Sequence, residues 1–138
     1  MKKLFISVPM KGRTDEAIRN SMEKMHKIAE FTFGEELEVL ETYIPPEAPD
    51  GANSSIWCLG RSIQKLAEAD YFIGIGYTDY FYGCRSESSI ARDYGIPCIY
   101  VDLYECAFLR DAVEIAERGK EKECNVPNEN GSIEAVLQ

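Results

Sequence analysis

Short apolar runs alternate with amphipathic helical segments along the first hundred residues, and this alternation limits the possible folds more than any other feature. Residues 3–9 form a brief apolar run closed by proline, which is typical of a buried strand. In the next segment, 14–34, apolar residues recur every three or four positions, which predicts a helix with one apolar face. Strands that alternate with helices build βαβ units, and so the pattern predicts a parallel sheet covered on both faces.

The other elements follow from the same reasoning. Thr14 or Asp15 can cap the start of the first helix, and Gly34 can end it. Further strands are predicted at 37–43, 71–76 and 97–101. Further helices are predicted at about 55–69, 86–94 and 107–118. The apolar residues of the second helix that we expect to face inward are Ile56, Leu59, Ile63 and Leu66.

Connection rules leave few topologies for such a chain. Right-handed crossovers favour a sheet in which the first strand lies between the second and the third. We therefore expect a flavodoxin-like or Rossmann-like three-layer sandwich with four or five parallel strands. One domain should span residues 1–119, followed by a polar tail, 120–138.

The predicted topology also locates a binding site. Ligands of open α/β sheets bind beyond the carboxyl ends of the strands, where the winding direction reverses. Here that crevice should lie between the loops at 9–13 and 77–87. The stretch 44–55 contains three prolines and is long for a connection, which hints at a functional cover.

The loop after the first strand carries Lys11, Gly12 and Arg13 just ahead of a helix N-terminus. Free backbone amides, a permissive glycine and two cations suit a phosphate or a carboxylate. The alternative is an exposed polar turn whose charges are solvated.

The loop after the third strand is crowded with aromatic residues, namely Tyr77, Tyr80, Phe81 and Tyr82. Aromatic faces can stack a nucleobase, but they can equally cover the end of the core or a subunit interface.

Three charged residues near this loop offer specific chemistry. Glu87 is expected at the start of a helix, where the helix dipole favours a carboxylate. A carboxylate at the mouth of the crevice can also attack an anomeric carbon. Asp79 can accept hydrogen bonds from sugar hydroxyls or simply start a turn. Arg85, like Arg61, can bind a phosphate or carboxylate through its guanidinium fork, or lie on the surface.

Composition narrows the range of partners. The chain has 15 Lys plus Arg against 24 Asp plus Glu, a net charge of −9, so binding to a nucleic acid polymer is not expected. Five cysteines without a close pair suggest free thiols in a reducing cytoplasm. A single histidine makes a His-based metal site or a Ser-His-Asp triad improbable, and no apolar run is long enough to span a bilayer. No cofactor is expected.

Three stretches, LFISVPMKGR, LGRSIQKLAEADYFI and GCRSESSIARDYGIPCIYV, resemble the nucleoside 2-deoxyribosyltransferase-like superfamily, in an uncharacterised bacterial and phage branch. The resemblance implies a flavodoxin-like sheet, a dimer or larger homo-oligomer, and a nucleoside or nucleotide as ligand. It also implies cleavage or transfer of an N-glycosidic bond, with Glu87 as the nucleophile that attacks C1′ and Asp79 as a sugar-binding residue. The further expected ligand contacts are Ser7, Pro9, Met10, Lys11, Gly12, Arg13, Tyr77, Gly83 and Arg85.

Two positions depart from the family pattern. Phe5 stands where active members carry a tyrosine whose hydroxyl helps hold the nucleophile, and Ser62 stands where they carry an aspartate that assists proton transfer. Phe5 cannot donate a hydrogen bond and Ser62 is a poor general acid. Three hypotheses therefore remain: a glycosidic-bond enzyme, a non-catalytic nucleotide-binding protein on the same fold, and a fold relic whose loops make a subunit interface.

Overall fold

The computed structural model describes residues 1–42 and 47–102. These residues contain four strands and three helices, joined by loops. In chain order they are β1 (Lys2–Ile6), α1 (Asp15–Phe33), β2 (Leu37–Val39), α2 (Ser54–Leu66), β3 (Tyr71–Ile75), α3 (Tyr82–Asp93) and β4 (Cys98–Val101). The predicted helix at 107–118, the domain end at 119, the tail 120–138 and the predicted strand end at Tyr43 lie outside the described residues.

The strands form one parallel sheet in the order β2-β1-β3-β4. In β1, Leu4 pairs with Val39 on one side and with Tyr71 on the other. The predicted position of the first strand between the second and the third is thus confirmed, as is the α/β, flavodoxin-like or Rossmann-like architecture. The winding direction reverses at β1, because β2 lies on one side of it and β3 on the other.

Helix α1 follows its sequence pattern closely. The Thr14 side chain accepts a hydrogen bond from the Ala17 N–H, which satisfies a free amide of the first turn. Gly34 takes a left-handed φ of 75° and donates its N–H to the Glu30 carbonyl, which ends the helix. Both predicted caps are therefore confirmed.

Side chains of β1 alternate between two cores, as the pleat of a strand requires. Towards α1, the buried apolar residues of one core include Leu4, Ile6 and Val8. The second core, on the face covered by α2 and α3, consists of Phe5, Leu40, Leu66, Phe72 and Ala91. In this second core the rings of Phe5 and Phe72 stack with their centroids 5.7 Å apart.

Two predictions about the helices are wrong. Helix α3 begins at Tyr82 rather than at Ser86: the glycine at 83 is exposed within the first turn, while Cys84 in the same turn is buried and packs inward. In α2, Ile56 is 67% exposed instead of facing inward, since the buried stripe of this helix consists of Ser62 and Leu66. The first half of α2 therefore has a solvent-exposed apolar residue, Ile56.

Candidate functional site

Two rows of residues cross the sheet on the face covered by α2 and α3. The row nearer the middle of the strands is apolar, and its members are Leu40, Phe5, Phe72 and Cys98. Two residues further along, where the strands end, the row changes character. This second row, the polar row, contains Ser7, Gly74 and Tyr100 on β1, β3 and β4 and their extensions. Hydroxyl-bearing residues thus replace apolar residues at the C-terminal ends of the strands, which is where the crevice was predicted.

Gly74 makes room for the Phe72 ring in the polar row. A Cβ atom at this position would lie 2.8 Å from the Phe72 ring and 3.7 Å from the Ser7 Cβ, which is ordinary contact. Any side chain here would therefore displace the ring.

Glu87 faces the polar row from the second turn of α3. The Ser7 hydroxyl donates a hydrogen bond of 2.7 Å to Glu87 Oε1. The Ser62 hydroxyl, from α2, donates a short hydrogen bond to Glu87 Oε2. Both serines are buried, so β1, α2 and α3 converge on one carboxyl group.

Two effects act on the charge of this carboxyl group in opposite directions. Burial raises the pKa of Glu87 above its ordinary value, and this is the larger effect. The hydrogen bonds from Ser62 and Ser7 lower the pKa, because they stabilise the ionised form. A carboxylate has about four lone-pair sites, so the two serines leave one site on each oxygen for a further partner.

The residue after Glu87 belongs to the same polar layer. The buried Ser88 donates a hydrogen bond of 3.0 Å to the Tyr100 hydroxyl, which ties α3 to β4. The Arg92 guanidinium lies 5.9 Å from the centroid of the Tyr100 ring. These contacts fix the helix that carries the carboxylate.

The first predicted ligand loop is fastened to α1. The Arg13 guanidinium donates to the Pro9 carbonyl at 3.0 Å and to Ser21 Oγ at 2.6 Å. Lys11 and Gly12 are exposed at the turn, and Gly12 takes a φ of 77°. Pro9 is buried and Met10 packs against the α1-side core. The arginine thus holds the turn in place through contacts within the chain.

The second predicted ligand loop leads into α3. Asp79 and Gly83 are exposed, and the rings of Tyr77 and Tyr80 lie 5.7 Å apart. The Arg85 guanidinium lies over the Tyr82 ring at 4.6 Å. Arg85 precedes Glu87 by two residues, which is a rotation of about 200° around a helix, so the two side chains leave α3 in different directions.

The structure therefore brings together Ser7 and Glu87 from the predicted set, and adds Ser62. The sequence singled out Ser62 only as a departure from a family pattern. A signal was present, because Ser62 interrupts the apolar stripe that Leu59, Ile63 and Leu66 form along α2. The expected position of Glu87 in a first helical turn is wrong: the first turn of α3 contains no acidic residue, so the helix dipole does not account for this carboxylate.

Two open grooves lie elsewhere, along the flanks of α1, with volumes of about 400 and 290 Å³. The larger is lined by basic residues such as Lys24 and Lys27, and the smaller by Arg19, His26 and other residues. Glu87 lines neither groove, since it lies on the opposite face of the sheet.

Two other kinds of site were sought within residues 1–42 and 47–102. These residues contain no cluster of three or more His, Cys, Asp or Glu side chains able to hold a metal ion. None of the helices among them combines the length and the apolar character needed to cross a membrane.

Comparisons with protein-family models, with curated proteins and with solved structures find no match for this chain. The likeness to the nucleoside 2-deoxyribosyltransferase-like superfamily therefore stays a prediction from the sequence, and the site has to be interpreted from its own geometry.

Proposed function

We propose that this protein breaks or transfers the N-glycosidic bond of a nucleoside or nucleotide, with Glu87 as the nucleophile. The observation that carries the proposal is the state of this carboxyl group. Glu87 is half-buried, both of its carboxyl oxygens accept from hydroxyl donors, and it lies beyond the C-terminal ends of the strands beside the switch point. A carboxylate held in this way is suited to attack an anomeric carbon.

The proposed reaction has two steps. One Glu87 oxygen forms a bond to the anomeric carbon while the carbon–nitrogen bond breaks, and the electron pair leaves with the base, which takes a proton from water. Water, or a second base, then attacks the same carbon, gives a proton to the hydroxide left by the first step, and releases the Glu87 carboxylate. With water the outcome is hydrolysis, and with a second base it is transfer.

Ser7 supplies what Phe5 does not. The resemblance places a tyrosine hydroxyl at position 5, to hold the nucleophile. Here Phe5 belongs to the apolar row, where it stacks on Phe72. Ser7 lies on the same face two residues later, and its hydroxyl donates a hydrogen bond to Glu87. The loss of the tyrosine is thus compatible with a fixed nucleophile.

A second candidate function is favoured by the groups around Glu87. Both of its hydrogen-bond partners, Ser7 and Ser62, are hydroxyls, which are weak acids. Neither can protonate a departing base efficiently. A protein that binds a nucleotide without cleaving it, as a sensor or a sequestering protein, would need the same crevice and no proton donor.

The two functions are separated by one assay. The protein is incubated with a panel of nucleosides and 5′-monophosphates, released base is measured by chromatography, and thermal stability is recorded for each compound. For the enzyme we expect base release that falls by about 100-fold or more in Glu87→Gln. The control Glu16→Gln, an exposed glutamate on α1, should keep full activity.

Three other results of the assay would count against the enzyme, or against both functions. Equal base release by wild type and Glu87→Gln would exclude Glu87 as the nucleophile. A nucleotide that raises the melting temperature without any product would support the binding protein, because a ligand of the native state stabilises it. No product and no stabilisation by any compound would contradict both functions.

We also propose a ligand class, a cellular compartment and an oligomeric state. We expect a small-molecule ligand rather than a nucleic acid polymer, because the net charge of −9 repels a phosphate backbone. None of the described cysteines, which are Cys58, Cys84 and Cys98, forms a disulfide, as suits a cytoplasmic protein. A homo-oligomer is expected from the family resemblance.

A further inference from the structure

The Glu87 carboxylate has no positively charged partner among the described residues. The ion pairs found within residues 1–42 and 47–102 involve other acidic side chains. The two groups that bond to the Glu87 oxygens, the Ser7 and Ser62 hydroxyls, are neutral. The pKa of Glu87 accordingly depends on burial, which raises it, and on these two serines, which lower it, with no charged group among the causes. The ionised carboxylate thus carries a negative charge that these contacts do not neutralise.

A half-buried charge of this kind favours a cationic ligand. Water solvates the half-buried Glu87 incompletely, so an opposite charge brought by a ligand is attracted more strongly here than at an open surface. The net charge of the chain, −9, also attracts cations rather than anions. Electrostatics therefore selects a ligand that is positive near the carbon that Glu87 attacks.

The same site is poor in proton donors. Ser7 and Ser62 each have one hydroxyl proton, and both are engaged in the hydrogen bonds to Glu87. The single histidine of the chain, His26, lies on α1 and contacts the Leu37 carbonyl, on the other face of the sheet. A neutral base that leaves without a proton becomes an anion, and the lack of a general acid costs about 100- to 10,000-fold in rate.

A positively charged base needs no proton in order to leave. When the heteroaromatic ring attached to the sugar carries a positive charge, as in a pyridinium or an N7-alkylated purine, the electron pair of the breaking bond neutralises the ring. The leaving group then departs as a neutral molecule. The absence of an acid beside the nucleophile and the uncompensated carboxylate therefore favour the same class of substrate.

We propose that the substrates of this protein are N-glycosides of positively charged heteroaromatic bases, with Glu87 as both nucleophile and counter-ion. This inference rests on the proposed function in its catalytic form. One Glu87 oxygen bonds to the anomeric carbon, the carbon–nitrogen bond breaks, and its electron pair cancels the charge of the base. Water then attacks the same carbon, the bond to Glu87 breaks, and one proton of the water passes to the solvent. Hydrolysis thus releases the sugar, the neutral base and one proton.

The test compares substrates that share a sugar and differ in the charge of the base. One pair is N7-methylguanosine and guanosine, and the other is the nicotinamide nucleoside and its reduced, neutral form. Each compound is assayed with ribose and with 2′-deoxyribose, and also as the 5′-monophosphate. Base release is measured by chromatography, and the rate without protein is subtracted. The variants are Glu87→Gln and, as the surface control, Glu16→Gln.

We expect kcat/KM to be at least about 100-fold higher for the cationic member of each pair, because the base of the neutral member lacks a proton donor. Glu87→Gln should lower the cleavage of the cationic compounds by about 100-fold or more, whereas Glu16→Gln should keep it. With the nicotinamide nucleoside, kcat/KM should rise with pH as Glu87 ionises and then stay level. A general acid in the site would add a falling limb at high pH.

Three results would overturn the inference. A smaller preference for the cationic compounds would reveal a proton donor in the site and would leave the proposed function standing. A falling limb at high pH with the nicotinamide nucleoside would have the same meaning. No cleavage of any compound, cationic or neutral, would reject the inference together with the catalytic form of the proposed function.

Discussion

At the scale of single residues, the chemistry of this protein depends on the hydrogen bonds that two serine hydroxyls donate to the Glu87 carboxylate. Ser7 and Ser62 donate to Glu87, and these bonds oppose the effect of burial on the carboxyl group. The serines thus favour the ionised carboxylate that a nucleophile requires, and they do so without occupying all of its lone pairs.

Removing one of these hydroxyls should raise the pKa of Glu87 further. We expect this in Ser62→Ala and in Ser7→Ala, because each variant removes a hydrogen bond that lowers the pKa while burial remains. An NMR titration of the side-chain carboxyl carbon measures the change directly. The acid limb of any pH–rate profile should move to higher pH in the same variants.

The matched control for these variants is Ser88→Ala. Ser88 is also buried but bonds to Tyr100 instead of to Glu87. Its removal should leave the titration of Glu87 in place. A titration unaffected in both Ser62→Ala and Ser7→Ala would mean that these hydrogen bonds do not influence the carboxylate.

The sequence identified part of this site in advance. Glu87 follows from the order of the strands, because it ends the predicted crevice segment 77–87, whereas Ser7 was expected only from the family resemblance. The contact with Ser62 could not be derived from spacing within one segment, because it depends on how α2 packs beside α3.

At the scale of elements, the packing of the sheet depends on two neighbouring positions on one face of β3. Phe72 fills the apolar row and its ring leans towards Gly74, the next residue on the same face. The absence of a side chain at Gly74 thus gives the ring the room it needs.

Gly74→Ala should destabilise the fold by about 1–3 kcal/mol, because the added methyl group meets the Phe72 ring at 2.8 Å and the ring is already stacked on Phe5. Denaturant unfolding monitored by circular dichroism provides the free energy. Gly76→Ala is the control, because nothing lies within 4 Å of its Cβ position, and we expect it to stay within about 0.5 kcal/mol of wild type. Equal losses in both variants would show that steric crowding is not the cause.

The elements themselves were largely predictable. The parallel sheet, its strand order and the caps of α1 follow from local patterns that the tertiary structure respects. The start of α3 was placed four residues late, because the glycine at 83 and the aromatic residues before it are typical of a loop. Ile56 was placed inward by its spacing, yet no part of the described core extends far enough to cover it.

At the scale of the whole molecule, a buried carboxyl group links the site to global stability. The folded protein holds the Glu87 proton more tightly than the unfolded chain does, because burial raises the pKa above the ordinary value of 4.5. The contribution of Glu87 to stability is therefore fully present below pH 4.5. It is lost as the pH rises from 4.5 through the raised pKa, since the unfolded chain then binds fewer protons than the folded one.

This linkage predicts a pH-dependent gap between wild type and Glu87→Gln. The amide cannot ionise, so the variant escapes the loss, and its stability relative to wild type should grow as the pH rises above 4.5 and then level off. For one proton the slope of the gap cannot exceed about 1.4 kcal/mol per pH unit. Free energies of unfolding at a series of pH values measure it. A gap that shrinks with rising pH would mean that the two serine hydrogen bonds affect the pKa of Glu87 more than burial does. The pKa of Glu87 would then lie below its ordinary value.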